Sequence, residues 1–265
     1  MKKKNKIEPE ILYDINDVHI LDLTKVDDIR NVSKDILSDA SRMEIEFLPQ
    51  LGLNNEVVHE FPEALSPYFG KGLQHWQYPN QFSKYLVHLS KYKIESYVEI
   101  GVRHGGTFII TLEYLNRFHK VKKAVGIDIA SNVSLPEYKK KYNNSIKFLR
   151  VESQSILFKR FIHEKCNPLD LVLIDGDHSY WGARADFEIF KDIANIIVFH
   201  DISSYMCPEI NDLWIELKEA LSDEFNFYEF NDQYKSLQDK GQYYLGIGVM
   251  VDKGFDFIHK GVCRG

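Results

Sequence analysis

The chain has 265 residues, 44% of them hydrophobic and 13% aromatic, and its 39 Asp and Glu outnumber 33 Lys and Arg to give a formal charge of -6. That length and apolar content fit one α/β domain with a substantial core, or such a core plus a modest appendage, and exclude a disordered chain. The acidic balance argues against a nucleic-acid partner, which needs a basic face.

The opening MKKKNKIEPE is positively charged, but no apolar segment of signal length follows it. No run approaches the ~20 apolar residues that cross a bilayer, so a soluble, cytoplasmic protein without a membrane span is expected. Next, ILYDINDVHILDL fits strand or helix, Lys34 to Met43 is weakly amphipathic, and FPEALSPYFGKGLQHWQYPNQF concentrates prolines, glycines and aromatics. Residues 1–95 therefore read as an N-terminal helical extension with a loop-rich cover, and residues 96–265 as the ligand-binding domain.

From residue 96 onward the pattern alternates. Strands are expected at Ser96 to Ile100, Ala124 to Ile127, Ile146 to Val151, Leu169 to Ile174 and Ile196 to Phe199. Helices are expected from the TFIITLEYL stretch, from Ile156 to His163, from Trp181 to Ile193 and from Glu209 to Leu221. Strands apolar on both faces belong inside a parallel sheet covered by helices on each side. Two further runs, Asn226 to Phe230 and Tyr243 to Val251, read as an antiparallel pair. The expected fold is a Rossmann-like, doubly wound, seven-stranded and mostly parallel sheet. Cys166, Cys207 and Cys263 are far apart and odd in number, so neither a disulfide framework nor a structural zinc site is expected.

In open sheets of this class ligands bind beyond the carboxyl ends of the strands. Here those ends carry Glu99 and Gly101, Asp128, Glu152, then Asp175 with Asp177 and His178, then His200 with Asp201. Any one Asp could be a helix cap or a turn former, but five consecutive strands ending this way point to a site. Between the first strand and its helix lies Gly-Val-Arg-His-Gly-Gly, residues 101–106. This is not the G-x-G-x-x-G dinucleotide fingerprint, although glycines there let a backbone approach a ligand closely. Asp128, which ends the second strand, stands where an acid accepts hydrogen bonds from a ribose, so a nucleoside-containing cofactor is expected, with NAD and S-adenosylmethionine both in view.

Glu99, Gly101, Gly105, Gly106 and Thr107 resemble the first motif of class I S-adenosylmethionine-dependent methyltransferases. The resemblance implies that this turn meets the methionine part of the cofactor, that Asp128 meets the ribose, and that Glu152, Ser153 and Gln154 meet the adenine. LVLIDGDHSYWGARADFEIF resembles the fourth motif of a bacterial subgroup acting on sugars, macrolide glycosides and capsule components, which includes cephalosporin-hydroxylase-like proteins. That likeness implies Asp175, His200 and Asp201 as ligands of a divalent cation, Mg²⁺ or Mn²⁺, with Asp175 and His178 as catalytic residues and His178 as the base. His200 departs from the subgroup's acidic pair, and a nitrogen there suits Mn²⁺ or Fe²⁺ better than Mg²⁺. HWQYPNQF resembles the subgroup's segment over the cofactor, making Gln77 and Tyr78 site candidates, while Tyr205 and Trp214 fall where a lid would lie.

The implied reaction is O-methyl transfer to a sugar or capsular polysaccharide precursor, with a phosphoramidate decoration as a specific case. The rivals are a metal-dependent hydroxylase or hydrolase and a non-catalytic nucleoside-binding subunit. The partners implied are a small-molecule or glycan-type acceptor, and a homodimer is a candidate assembly.

Overall fold

The computed structural model describes residues 20–56, 58–235, 241 and 243–259. The basic start, His19, Cys263 and most of the ILYDINDVHILDL run lie outside the described residues.

Seven strands form one sheet: β1 Ser96–Ile100, β2 Lys123–Asp128, β3 Ile146–Arg150, β4 Leu169–Ile174, β5 Ala194–His200, β6 Phe225–Phe230 and β7 Ile247–Asp252. Their order is β3-β2-β1-β4-β5-β7-β6. The first five pair in parallel, and β7 inserts antiparallel between β5 and β6. The order reverses between β1 and β4, which opens a crevice at their carboxyl ends.

Alternation along each central strand feeds two cores, as a period of two requires. Tyr97, Leu171, Leu173, Ile196 and Val198 pack on one face, and Val98, Val172, Ile174, Ile197 and Phe199 on the other. The first face is covered by the helices Pro79–Leu89 and Gly106–Phe118 and by the N-terminal segment, whose Leu21, Val26, Ile29 and Leu37 join that core. The second is covered by Ile156–Lys165, Tyr180–Phe190 and Pro208–Leu221.

The N-terminal region is helical but broken: Lys25–Asn31, two short turns, a π-type turn at Met43–Phe47 and 3₁₀ turns. Arg30 anchors it, donating from Nε and Nη2 to the buried Glu113 at 2.8 and 2.7 Å. Three expectations change. The prolines and aromatics before β1 hide a helix, Pro79–Leu89, with Pro79 in its first turn where a missing N–H costs nothing. The last strand starts at Ile247 rather than Tyr243, because Leu245 and Gly246 take left-handed backbone, with φ of 60° and 105°. Trp214 is no lid: it packs against Phe199 and Phe227 and donates from Nε1 to Glu229 Oε1 at 2.8 Å.

Candidate active site

The crevice is a cavity of about 920 Å³ at the strand ends. Glu99, Gly101, Gly105, Thr107, Asp128, Ser153, Gln154, Asp175, His178, His200 and Asp201 all line it. Gln77 does not; it is buried behind the wall, and its Oε1 accepts from His200 Nε2 at 2.9 Å. Tyr78 is also fully buried, in a cluster of aromatic rings.

The glycine turn answers first to the protein itself. A Cβ on Gly101, whose φ is 83°, would lie 1.8 Å from the Asp175 carbonyl oxygen, and one on Gly106 would lie 1.9 Å from that of Leu73. These glycines let β1 reach the end of β4 and let the next helix start under the N-terminal cover. Gly105, with φ of 93°, would meet the side chain of Leu135 at 3.0 Å. The turn thus starts the helix Gly106–Phe118 at the cavity wall, where Gly106 and Thr107 line it, and a helix N-terminus there suits polar cofactor groups.

Asp128 is held from below. Its Oδ2 accepts from the Arg103 N–H at 2.6 Å and its Oδ1 from the Ala130 N–H at 2.8 Å, which fixes the carboxylate at the mouth of β2. Each oxygen keeps a lone pair for a ligand hydroxyl. The Arg103 guanidinium lies 4.8 Å above the Trp76 ring and pairs with Glu56, bringing the N-terminal cover over the same mouth. Four non-glycine residues among those described have left-handed backbone, Gln74, Arg103, Asp201 and Leu245, and all four line this cavity. Such backbone costs ~1–3 kcal/mol per residue and concentrates at functional sites.

Glu99 is buried, and the Tyr97 hydroxyl donates to its Oε2. Burial pushes its carboxyl up to about 8, with the Tyr97 hydrogen bond opposing and Asp175 adding to the rise. The folded chain therefore keeps a proton there that the unfolded chain releases above its ordinary 4.5. On this account stability is fully present below that value and is lost as pH rises toward 8. Glu99→Gln removes the titration. Its melting temperature relative to the native chain is expected to climb between about pH 5 and about pH 8.5, and a pH-independent difference in thermal scans would contradict this.

Beyond β4 and β5 two carboxylates and two imidazoles meet. His200 Nδ1 lies 3.1 Å from Asp175 Oδ1 and 3.4 Å from Asp201 Oδ2, at ion-pair distance though without hydrogen-bond alignment. His178 Nε2 is 3.2 Å from the same Asp175 oxygen, and its Nδ1 is 3.5 Å from Asp201 Oδ2. Burial pulls His200 down, but Asp175 and Asp201 outweigh it and leave it raised to about 10. The Asp175 hydrogen bond leads in pushing His178 up to about 11. For Asp175, burial pushes up and the two imidazoles more than reverse it, holding the carboxyl below its usual range.

Asp175, His200 and Asp201 bring donor atoms close enough to share one cation. The nitrogen in that set fits Mg²⁺ poorly, since that ion asks for a near-octahedral set of oxygens. Sequence reasoning also missed Cys207, whose Sγ is 3.2 Å from His178 Nδ1 and 3.5 Å from Asp201 Oδ2. Only its place six residues after Asp201 hinted at this.

Residues 98–202 match a family model described as a methyltransferase domain. The matched stretch runs from β1 to just past β5 and contains each lining residue expected from the sequence. An uncharacterized protein of Acanthamoeba polyphaga mimivirus is 27% identical over 182 residues, covering 62% of this chain and 78% of that one. Among solved structures, an O-methyltransferase from Bacillus cereus in complex with SAH is 15% identical with a TM-score of 0.46, over 86% of this chain and 96% of that one. MycE from the mycinamycin biosynthetic pathway, solved with Mg, SAH and mycinamycin VI, is 16% identical with a TM-score of 0.45. That likeness covers 68% of this chain and 50% of MycE.

Proposed function

We propose that the protein is an S-adenosylmethionine-dependent methyltransferase acting on an oxygen of a sugar or capsular polysaccharide precursor, with the cofactor bound at the glycine turn and the acceptor over Asp175 and His178. The observation that carries the reading is that the turn, Asp128 and the carboxylate-imidazole cluster line one cavity. Its volume of about 920 Å³ leaves room for an acceptor beside a nucleoside. When bound, the cofactor supplies an electrophilic methyl group on a sulfonium.

The protein's own residues do the rest. Asp128 accepts the ribose hydroxyls, and Glu152, Ser153 and Gln154 border the adenine. Gly101, Gly105 and Thr107 shape the floor under the methionine end, beside Glu99. The Asp175 and His178 side chains both face the cavity. His178, which Asp175 and Asp201 keep protonated in the resting site, takes the proton of an acceptor hydroxyl once its own proton has passed to solvent, so transfer to a hydroxyl should quicken as pH rises. Where the acceptor oxygen is already ionised, as in a phosphoramidate, that proton transfer falls away. Trp76 donates from Nε1 to the Tyr244 hydroxyl at 3.0 Å, and both line the cavity, giving a sugar an aromatic surface with a polar edge.

Residues up to 95 serve in this reading as the active-site cover, contributing Asn54, Gln74 and Trp76 to the wall. No helix among the described residues is long and apolar enough to cross a membrane. The poor fit to Mg²⁺ means that no step is assigned to that ion.

The test is transfer of an isotopically labelled methyl group to a panel of hydroxylated sugars, nucleotide sugars and phosphoramidate sugars, read by mass spectrometry. Label on a sugar or phosphoramidate oxygen is expected. Label appearing on RNA or on an amine, with every sugar inert, would contradict the reading.

A further inference from the structure

The cluster beyond β5 contains a second group of donors beside the carboxylate pair. Asp201 Oδ2, His178 Nδ1 and Cys207 Sγ are mutually separated by 3.5, 3.2 and 3.5 Å. A tetrahedron built on bonds of ~2.0–2.3 Å to nitrogen, oxygen and sulfur has edges of about 3.3–3.6 Å. Three sides of such a figure are therefore already present, and all three residues line the cavity.

We propose that His178 Nδ1, Asp201 Oδ2 and Cys207 Sγ hold one divalent ion of the zinc type, with the fourth position open to the cavity. The donor types set the choice of metal. One imidazole, one carboxylate and one thiolate suit a borderline ion such as Zn²⁺, whereas Mg²⁺ asks for oxygen throughout. Three protein ligands with an open position are the pattern of a reactive site, since structural zinc sites close all four.

The surroundings supply what such a site needs outside its ligands. Asp175 Oδ1 lies 3.2 Å from His178 Nε2, the other ring nitrogen, so a carboxylate fixes the imidazole with Nδ1 turned to the metal. His200, pinned through Nε2 to Gln77, stands 3.4 Å from Asp201 Oδ2 and partly balances the charge of the carboxylates. Asp201 reaches its place through left-handed backbone, with φ of 62°. Cys207 directly precedes the helix Pro208–Leu221, whose first amides favour negative charge. Binding displaces the thiol proton of Cys207 and the Nδ1 proton of His178, and no bond is oxidised or reduced. With the ion bound His178 is held as a ligand, so the proton-accepting role given to it above belongs to the metal-free protein. The metal site itself does not depend on the methyl-transfer reading.

Cobalt reports on this site directly. The full chain, stripped with a chelator and titrated with Co²⁺, is expected to develop a thiolate-to-cobalt charge-transfer band in the near ultraviolet together with strong visible bands of a four-coordinate ion. One equivalent should saturate the signal, Zn²⁺ should abolish it, and excess Mg²⁺ should leave it in place. Cys207→Ser should lose the charge-transfer band, and Cys263→Ser should keep it. A band that survives in Cys207→Ser, or none in the native chain, overturns the proposal. A measurement on the native chain guards against a variant that fails to fold: Zn²⁺ should slow alkylation of Cys207, read by peptide mass spectrometry, at least tenfold. Equal alkylation with and without Zn²⁺ would overturn the proposal as well.

Discussion

His178→Ala is expected to slow methyl transfer to a hydroxyl acceptor by about 10² to 10⁴, the usual contribution of a positioned acid-base group. The side chain lies between Asp175 and Asp201, with its ring nitrogens turned to Asp175 and Cys207 and not to Asp128 or the glycine turn, so cofactor affinity should be unchanged. Loss of rate with intact binding separates a chemical role from a structural one. If the true acceptor carries an ionised oxygen, the same variant should cost less than about tenfold, because little proton transfer remains to assist. Single-turnover kinetics with the cofactor pre-bound distinguish these outcomes, and a variant as fast as the native enzyme on a hydroxyl acceptor would remove His178 from the reaction.

Asp128→Ala is expected to weaken S-adenosylmethionine binding about ten- to a hundredfold. Hydrogen bonds to a charged group contribute ~1.5–3 kcal/mol each, and water replaces part of what two of them lose. The carboxylate also accepts the Arg103 and Ala130 amides, so the alanine variant loosens the loops that shape the ribose site. Asp128→Asn separates the two effects, since it keeps the shape but turns an amide donor toward one of those N–H groups. It should therefore be weakened as well. Unchanged calorimetric affinity in both variants would place the ribose elsewhere.

Much of the sheet from residue 96 onward was legible because its signals are local. Strands buried on both faces read as continuous apolar runs, and β1 and β4 fall at the expected residues. The acids at their ends stand out because each follows such a run. Residues that act through distant partners were harder to see. Gln77 looked like a cofactor contact but braces His200 across 123 positions of sequence. Trp214 looked like a lid, yet its ring packs so closely on Gly248 that a Cβ there would lie 2.7 Å from it. Cys207 carried no metal-binding spacing, because its partners His178 and Asp201 come from the loops after two different strands. Gly101 was read for its ligand, whereas its first requirement is the Asp175 carbonyl in the neighbouring strand's exit.

The most direct test of the central claim is calorimetric titration of the purified chain with S-adenosylmethionine beside a parallel titration with NAD. The account predicts saturable binding of one S-adenosylmethionine per chain, weakened in Asp128→Ala, and no binding of NAD, whose pyrophosphate this turn lacks the G-x-G-x-x-G backbone to hold. Saturable NAD binding without any heat from S-adenosylmethionine would contradict it.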